Sequence, residues 1–255
     1  MNETIKMLLI ICPLVFTAGF VDAVAGGGGL ISLPAYMLAG LPMHIAAGCN
    51  KFSACLGSMT AAIKYIISGK VKFQIAICAA IGSIVGASIG STIALYISEV
   101  TLKLLMMIAI PCVAIFVVTQ KNIGIQTEEK QWSTIKSSSI AMIIGLIIGC
   151  YDGLIGPGTG TFLIIAFSTM MGLELVTSSG CAKVANLASN ITSVIIYLIG
   201  GKVIFYLAIP AAICSIAGSY LGAHFAIKGG ASKVRYVMFV VIALLFAKAI
   251  SEFWS

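Results

Sequence analysis

Charged residues are scarce in this sequence, amounting to 9% of its 255 residues, whereas soluble domains usually carry about 25%. This scarcity excludes a soluble globular protein, and a hydrophobic content of 60% predicts an integral membrane protein. Apolar stretches follow one another from Met7 to Val118 and from Ile140 to Phe253. A single polar stretch separates them, so no part of the chain is left over for a separate soluble domain.

Motifs of the common enzyme and cofactor classes are also missing. The eight cysteines form no CxxC pair and no Cys/His metal spacing, so we expect small, buried, reduced side chains and no metal. The glycine-rich stretches lack the Lys-Ser/Thr of a P-loop and a flanking βαβ unit, which excludes a nucleotide site. No nucleophile, base and orienting residue occur together. The sequence therefore predicts neither an enzyme nor a bound cofactor.

The net charge of +7 follows membrane topology rather than nucleic-acid binding, because the basic residues stand singly at the ends of apolar segments. Lys121, Lys130 and Lys136 lie in a central polar linker, residues 121–136, which the positive-inside tendency places in the cytoplasm. We therefore expect a multi-pass protein of the cytoplasmic (inner) membrane that binds no nucleic acid. Whether copies assemble into a homo-oligomer stays open.

The sequence repeats itself. "GFVDAVAGGGG" at 19–29 recurs as "GCYDGLIGPGTG" at 149–160, and "AAGCNK" ending at Lys51 recurs as "SSGCAK" ending at Lys183. After a two-residue shift near the glycines, the offset between the copies stays at 132 residues. This pattern predicts a tandem duplication with a first transmembrane repeat at 1–120 and a second at 137–255.

Each copy carries five apolar segments. The segments run about 7–21, 30–41, 45–68, 73–97 and 101–119 in the first copy, and about 137–151, 161–173, 176–199, 203–227 and 233–253 in the second. The first two of each copy are too short to cross about 30 Å of hydrocarbon. Such paired, glycine-interrupted segments are typical of transporters with discontinuous or re-entrant helices.

Two arrangements of the short segments fit the sequence. If each short pair forms one broken crossing, the repeats run parallel, whereas a hairpin returning to its own side makes them inverted. Both arrangements put eight of the twelve basic residues at segment ends on the linker side and four opposite. We favour inverted repeats, because alternating access needs both glycine loops at one depth. The fold class is thus an all-α polytopic membrane protein of about eight to ten spans.

The glycines predict a site for an anion. If the second segment of each copy begins just after its loop, near Leu30 and Thr161, free N–H groups and the positive end of the helix dipole face a cavity. Glycine lets a ligand approach these groups directly. Hydroxyl groups nearby could add donors, and they belong to Ser53, Thr159, Thr161, Ser178 and Ser179.

Lys51 and Lys183 strengthen this interpretation, because a charge inside an apolar segment costs at least about 2.5 to 3.5 kcal/mol and is a functional candidate. Alternatively, each lysine snorkels or pairs with an aspartate of the glycine motifs. Asp22 and Asp152 could serve as scaffold, carry a coupling proton or coordinate a cation, and the scaffold role comes first because a buried carboxylate needs a partner. The candidate substrate-binding residues are Gly26, Gly27, Gly28, Gly29, Asn50, Lys51, Gly156, Gly158, Thr159, Gly160, Lys183, Asn186 and Asn190.

The glycines of "GSIVGASIG", at Gly82, Gly86 and Gly90, have a different interpretation. Their spacing of four, repeated at Gly218 and Gly222, is typical of close helix packing in membranes. We predict that they pack helices together and bind nothing.

The stretches "VDAVAGGGGLISLPAYMLAGLP", "GCNK", "YDGLIGPGTGTFL" and "AKVANLASN" resemble the TauE/SafE family of sulfite and organosulfonate exporters, and within it the bacterial branch of membrane transporters without an assigned substrate. The resemblance covers nearly the whole chain. It implies a cytoplasmic-membrane transporter of small sulfur-containing anions. Cys49 stands where family members commonly have threonine, so the choice of substrate does not carry over with the motif.

These observations predict a secondary transporter that moves sulfite, thiosulfate or an organosulfonate, in the direction of export, by alternating access around a midplane site. Its partners would be a small anionic substrate and the lipid bilayer. Two alternatives stay open at this point. One is an anion channel, and the other is a membrane-embedded thiol or redox enzyme that uses Cys49 and Cys181, which occupy matched positions in the two copies.

Overall fold

The computed structural model describes residues 3–108 and 132–253, with side chains up to residue 240. These residues are helical with connecting loops and contain no strand. The helices are α1 (Glu3–Ala25), α2 (Gly29–Leu38), α3 (Met43–Ile67), α4 (Phe73–Tyr96), α5 (99–108), α6 (Thr134–Leu154), α7 (Thr159–Met171), α8 (Leu175–Ile199) and α9 (Phe205–Phe253). Residues 109–131, which include most of the predicted linker and the end of the fifth segment, lie outside this description.

Helix α9 contains two of the predicted segments. Gly230 interrupts it with a φ of 66° and a ψ of −166°, which is not helical. A bend at this glycine separates the fourth segment of the second half from the fifth, as the sequence predicts. Helix α6 begins at Thr134, inside the predicted linker, where the Ser133 hydroxyl accepts a hydrogen bond from the Lys136 N–H.

Five helices within the described ranges are long and apolar enough to cross a membrane: α1, α4, α6, α8 and α9 up to Val240. Large apolar side chains such as Ile81, Ile147 and Phe239 are exposed along them. Such side chains are stable only against lipid or another apolar surface. The chain is therefore a multi-pass, all-helical membrane protein.

The prediction of short first segments is wrong for α1 and α6. Their 23 and 21 residues correspond to about 34 and 32 Å. α1 gains its first turn through the exposed ion pair of Lys6 with Glu3 at 3.3 Å, and both helices continue past their aspartates. Asp22 and Asp152 therefore lie in the last helical turn rather than in the glycine loop. The prediction is confirmed for α2 and α7, with 10 and 13 residues.

The chain reverses direction at both glycine stretches. A Cβ on Gly28 would lie 2.5 Å from the Ala18 carbonyl oxygen and 2.4 Å from the Asp22 Cβ, so α2 starts beside the last two turns of α1. At the second stretch, the Tyr151 hydroxyl donates to the Pro157 carbonyl at 2.6 Å. The Tyr151 ring also packs edge-on against Phe162 of α7. Each stretch is thus the tip of a helical hairpin.

Helices α3 and α8 lie side by side at the centre and run in opposite directions. The Ser58 hydroxyl of α3 donates to Asn186 of α8 at 3.2 Å, while Lys51, two turns earlier, donates to Asn190, one turn later, at 3.4 Å. At the end of α3, the Lys72 N–H donates to the Cys181 sulfur near the start of α8 at 3.4 Å. The order of contacts along the two helices is therefore reversed.

The outer helices pack across the two halves and run parallel to their neighbours. Gly218 and Gly222 of α9 press against the Phe16 and Phe20 carbonyls of α1, because a Cβ on either glycine would lie 2.0 or 2.3 Å from those oxygens. Helix α4 packs on α6 in the same way. We call the side where α1, α3 and α9 begin the N-terminal side, and the side where α4, α6 and α8 begin the linker side.

A glycine seam holds α4 against α6. Cβ atoms on the glycines of either helix would lie 2.0 to 2.8 Å from backbone or near-backbone atoms of the other helix. Hydrogen at these positions lets the two backbones approach closely, as in other membrane proteins. The packing role predicted for the glycine spacing is therefore confirmed. The seam consists of Gly82, Gly86, Gly90, Gly145, Gly149 and Gly153.

We expect Gly86→Ala to destabilise the protein, because its methyl group would lie 2.1 Å from the Leu146 carbonyl oxygen and the helices would have to separate. Overpacking of this kind costs about 1 to 3 kcal/mol. Thermal unfolding of the purified protein in detergent measures the effect. Ser88→Ala is the matched control on α4, since that hydroxyl bonds only to Ile84 of its own helix. An unchanged melting temperature for Gly86→Ala would contradict the close packing.

Candidate functional site

The tips of the two hairpins touch each other. The Thr161 N–H donates to the Gly26 carbonyl at 3.2 Å, and the Thr161 hydroxyl donates to the Ala25 carbonyl at 2.8 Å. A Cβ on Gly26 would lie 2.1 Å from the Gly160 carbonyl carbon, and the φ of Gly26 is +78°. Only glycine fits this backbone contact. The contact brings the starts of α2 and α7 together, beginning at Gly29 and Thr159, close to the predicted Leu30 and Thr161.

Two ion pairs connect the halves crosswise, and Asp22 is partly exposed while the other three side chains are buried. The Lys51 ammonium lies 2.8 Å from Asp152, and the Lys183 ammonium lies 2.6 Å from Asp22. Each lysine therefore pairs with the aspartate of the other half, although each half contains both residue types. Antiparallel packing of α3 against α8 explains this exchange, because it carries each lysine to the opposite hairpin.

The remaining bonds of the aspartates make the pairs structural elements. Asp152 also accepts from the Ser189 hydroxyl at 2.6 Å, and Asp22 accepts from the Gly28 N–H at 3.3 Å. The four charges cancel, and each carboxylate has a second donor. A buried charge needs such partners to offset its loss of hydration. The scaffold role expected for Asp22 and Asp152 matches this geometry.

The asparagines of α8 extend the network toward α3. Asn190 accepts from Lys51 at 3.4 Å and donates to Asn186 at 3.3 Å and to Ser58 at 3.2 Å. In contrast, the side-chain oxygen of Asn50 is buried and has no hydrogen-bond partner in the described part of the chain. The Asn50 side-chain oxygen therefore faces the interior without a donor from the described residues.

A cavity lies beside the hairpin tips and the Lys51–Asp152 pair. Most of the residues predicted from sequence line it, and they come from both halves. Gly27, Gly158 and Lys183 do not line it, and Lys183 is fully buried. The predicted residues in the lining are Asp22, Gly26, Gly28, Gly29, Asn50, Lys51, Asp152, Gly156, Thr159, Gly160, Asn186 and Asn190.

Sequence reasoning missed three serines of the lining, Ser32, Ser215 and Ser219. Isolated serines in apolar helices carry no motif, so no local signal could have identified them. Of the hydroxyl groups that were predicted, Thr159 and Ser53 line the cavity. Thr161, Ser178 and Ser179 donate instead to backbone carbonyls away from it.

Backbone donors at the hairpin tips remain free. Within the described part of the chain, the N–H groups of Gly29 and Gly160 form no hydrogen bond, while those of Gly28, Thr159 and Thr161 do. Both Gly29 and Gly160 line the cavity. They belong to the first turns of α2 and α7, where the helix dipole favours negative charge. Together with Lys51 they can bind an anion.

The thiols lie elsewhere. Cys49 lies near the start of α3 and contacts the Ile204 backbone, and Cys181 lies near the start of α8 and contacts the Lys72 backbone. Neither cysteine lines the cavity. In the described ranges no three His, Cys, Asp or Glu side chains group closely enough to hold a metal ion.

Comparison with known proteins finds one matching family. The profile of the family described as "Sulfite exporter TauE/SafE" matches residues 11–249. The "Probable membrane transporter protein YfcA" of Escherichia coli K12 is 31% identical over 98% of this chain and 95% of its own length. A probable membrane transporter protein of Haemophilus influenzae is 28% identical over 99% and 98%. YdhB of Bacillus subtilis is 25% identical over 86% and 89%. No solved structure matches significantly.

A double-mutant cycle tests the crosswise pairing. Lys51→Ala leaves Asp152 charged and buried, which costs about 3 to 5 kcal/mol, and adding Asp152→Ala should recover a large part of that loss. Melting temperatures of the four purified proteins give the coupling between the two sites. The control is the same cycle with Lys51→Ala and Asp22→Ala, two residues of the first half that do not pair with each other. Stronger coupling of Lys51 to Asp22 than to Asp152 would contradict the crossed pairs.

Proposed function

The chain belongs to the TauE/SafE family of membrane transporters, which are not enzymes, and on that premise we propose that it exports a small sulfur-containing anion. Sulfite, thiosulfate and organosulfonates are the candidate substrates. The observation that supports this proposal is the cavity that joins a lysine to two free backbone N–H groups at helix starts. Such a site suits one compact oxyanion.

The anion would bind where the protein has neutralised its own charges. Lys51 uses two of its three donors, on Asp152 and Asn190, so one N–H remains for a ligand. The added negative charge repels Asp152 and weakens its bond to Lys51. Binding therefore acts on the ion pair that joins the halves, which couples the ligand to the packing of α3 and the second hairpin. A proton on Asp152 or Asp22 would act in the same direction.

The repeats are inverted in this proposal. Helix α1 runs parallel to α9, and α9 runs parallel to α3, since Phe52, Gly57 and Lys64 of α3 meet Phe205, Ser215 and Tyr220 in order. Helix α6 runs parallel to α4, which returns antiparallel to α3. Consequently α1 and α6 enter from opposite sides, and their hairpin tips meet at the middle. Alternating access around a midplane site needs this geometry.

The cavity faces outward in this proposal. Its residues on α1 and α2, including Val15, Ala18 and Ser32, lie between the hairpin tip and the N-terminal side, and none of its described lining comes from α4. Chain order then places eight of the twelve boundary basic residues on the linker side, which the positive-inside tendency assigns to the cytoplasm. They are Lys70, Lys72, Lys121, Lys130, Lys136, Lys228, Lys233 and Arg235.

Export needs no coupling ion. The inside-negative membrane potential drives a monoanion outward with about 2.3 kcal/mol per 100 mV. Uptake of the same anion would require a proton or Na⁺, for which Asp22 and Asp152 are the candidates in the cavity. A uniport of anions is therefore the simplest mechanism that the site supports.

Transport by liposomes containing the protein tests this function. We expect labelled sulfite or thiosulfate to cross with a rate that saturates and rises with counter-substrate on the other side, as a carrier requires and a channel does not. Lys51→Ala should lower the rate at least about tenfold, equivalent to about 1.4 kcal/mol. Lys64→Ala is the control on the same helix, because Lys64 lies over the Tyr220 ring and not in the cavity. Equal rates for both variants would overturn the site.

Cysteine labelling tests the outward orientation. In a variant without native cysteines, Ser215→Cys should react with a membrane-impermeant thiol reagent added outside the cell. Ser83→Cys, at the matched position 132 residues earlier, should be protected, since Ser83 lies outside the cavity lining and is bonded to the Gly145 carbonyl. Mass spectrometry measures the labelled fraction. The opposite pattern, with only Ser83→Cys labelled from outside, would contradict the orientation.

A further inference from the structure

One wall of the cavity carries hydrogen-bond acceptors that a simple oxyanion would leave unused. Asn50 is more than nine-tenths buried, lines the cavity, and its side-chain oxygen has no partner within the described chain. Leaving a buried acceptor unpaired is unfavourable. In this orientation of the amide, an anion that carries only acceptors does not pair with the oxygen. A ligand with an O–H or N–H group does.

Ser219 of α9 adds a second acceptor to this wall. Its hydroxyl donates to the Gly19 carbonyl at 3.3 Å, so only its lone pairs are left for a ligand. Ser215 lies one turn earlier, lines the same cavity, and forms no hydrogen bond within the described part of the chain. The α3 backbone leaves space for both, because a Cβ on Gly57 would lie 2.2 Å from the Ser215 oxygen and 2.8 Å from the Ser219 oxygen.

The matched positions of the other half lack this wall. Ala182 replaces Asn50, Ala87 replaces Ser219, and Ser189 replaces Gly57 at the offset of 132 residues. Where Gly57 has no side chain, Ser189 has a hydroxyl that donates a hydrogen bond to Asp152. Helix packing alone would serve both halves in the same way. Asn50 and Ser219 thus have no polar counterpart at the matched positions.

We propose that Asn50 and Ser219 select anions that carry a hydrogen-bond donor beside the negative group. The negative oxygens would lie at Lys51 and the free N–H groups of Gly29 and Gly160, and the donor would meet the acceptor wall. Asp22 also lines the cavity and disfavours a second negative charge. Hydrogen sulfite and hydroxyalkyl or aminoalkyl sulfonates share this chemistry. The proposal rests on the proposed function and narrows its substrate class.

Binding of matched sulfonates to the purified full-length protein tests this selectivity. The probes are ethanesulfonate, 2-hydroxyethanesulfonate and 2-aminoethanesulfonate, which have similar size and differ in the donor, and affinity is read from ligand-dependent melting temperatures. We expect the donor-bearing sulfonates to bind about fivefold or more tightly than ethanesulfonate, as one additional hydrogen bond allows. Sulfite measured below and above its second ionisation tests whether hydrogen sulfite is preferred as well. This measurement distinguishes an inorganic ligand, hydrogen sulfite, from the organic sulfonates.

Variants of the cavity residues test which side chains cause the preference for donor-bearing sulfonates. Asn50→Leu and Ser219→Ala should each reduce the preference for a donor to within about twofold, because the donor-bearing sulfonates lose more affinity than ethanesulfonate does. Asn50→Leu should also raise the melting temperature without ligand, because it removes an unpaired buried oxygen, whereas loss of a structural residue would lower it. Ser83→Ala, outside the cavity, is the control and should keep the preference.

The outcomes separate this inference from the function on which it rests. If ethanesulfonate binds as tightly as the hydroxylated and aminated sulfonates, or if the variants weaken all three equally, donor selection is wrong while anion transport stands. If neither sulfite nor any sulfonate raises the melting temperature of the unmodified protein, the proposed function is wrong and the inference with it.

Discussion

The rest of this structure depends on how it stabilises two carboxylates, one buried and one partly buried. Asp22 and Asp152 end helices inside an apolar protein, and each pairs with a lysine from the other half. An unpaired buried charge costs several kcal/mol, so each aspartate needs a lysine. In this fold that lysine comes from the other half. The pairing requires α3 and α8 to be antiparallel neighbours, and it places both hairpin tips between them. The site therefore consists of the contacts that hold the halves together.

Glycine makes this arrangement possible at two levels. At the hairpin tips, Gly26 and Gly160 are in backbone contact, so the starts of α2 and α7 point their N–H groups into one cavity. Along the outer helices, the glycine seam joins α4 to α6. The equivalent faces of α1 and α9 carry Val15 and Cys214 where the seam has Gly145 and Gly82. The cavity lies on the side of α1 and α9, as its lining by Val15, Ser215 and Ser219 shows.

Most of the candidate site could be predicted from the similarity between the two halves of the sequence. Matching the two copies identified Asp22, Asp152, Lys51 and the glycines as one group, and most of this group lines the cavity. The lengths of α1 and α6 were underestimated, because the aspartates looked like breaks in an apolar helix. Helices tolerate such a residue in the last turn when a lysine reaches it. Ser215 was missed since a serine in an apolar helix has no pattern.

Composition and periodicity by themselves determined that the chain is helical and crosses a membrane, because apolar segments in lipid must satisfy their backbone hydrogen bonds internally. The two similar motifs predicted which residues would line one cavity, and most of them do. Tertiary structure decided the partners: which lysine neutralises which aspartate, that Lys183 is sealed while Lys51 lines the cavity, and that Asn50 has no partner. The physical reason is that sequence similarity treats the copies as equivalent, whereas burial and pairing depend on the neighbours that packing brings to each.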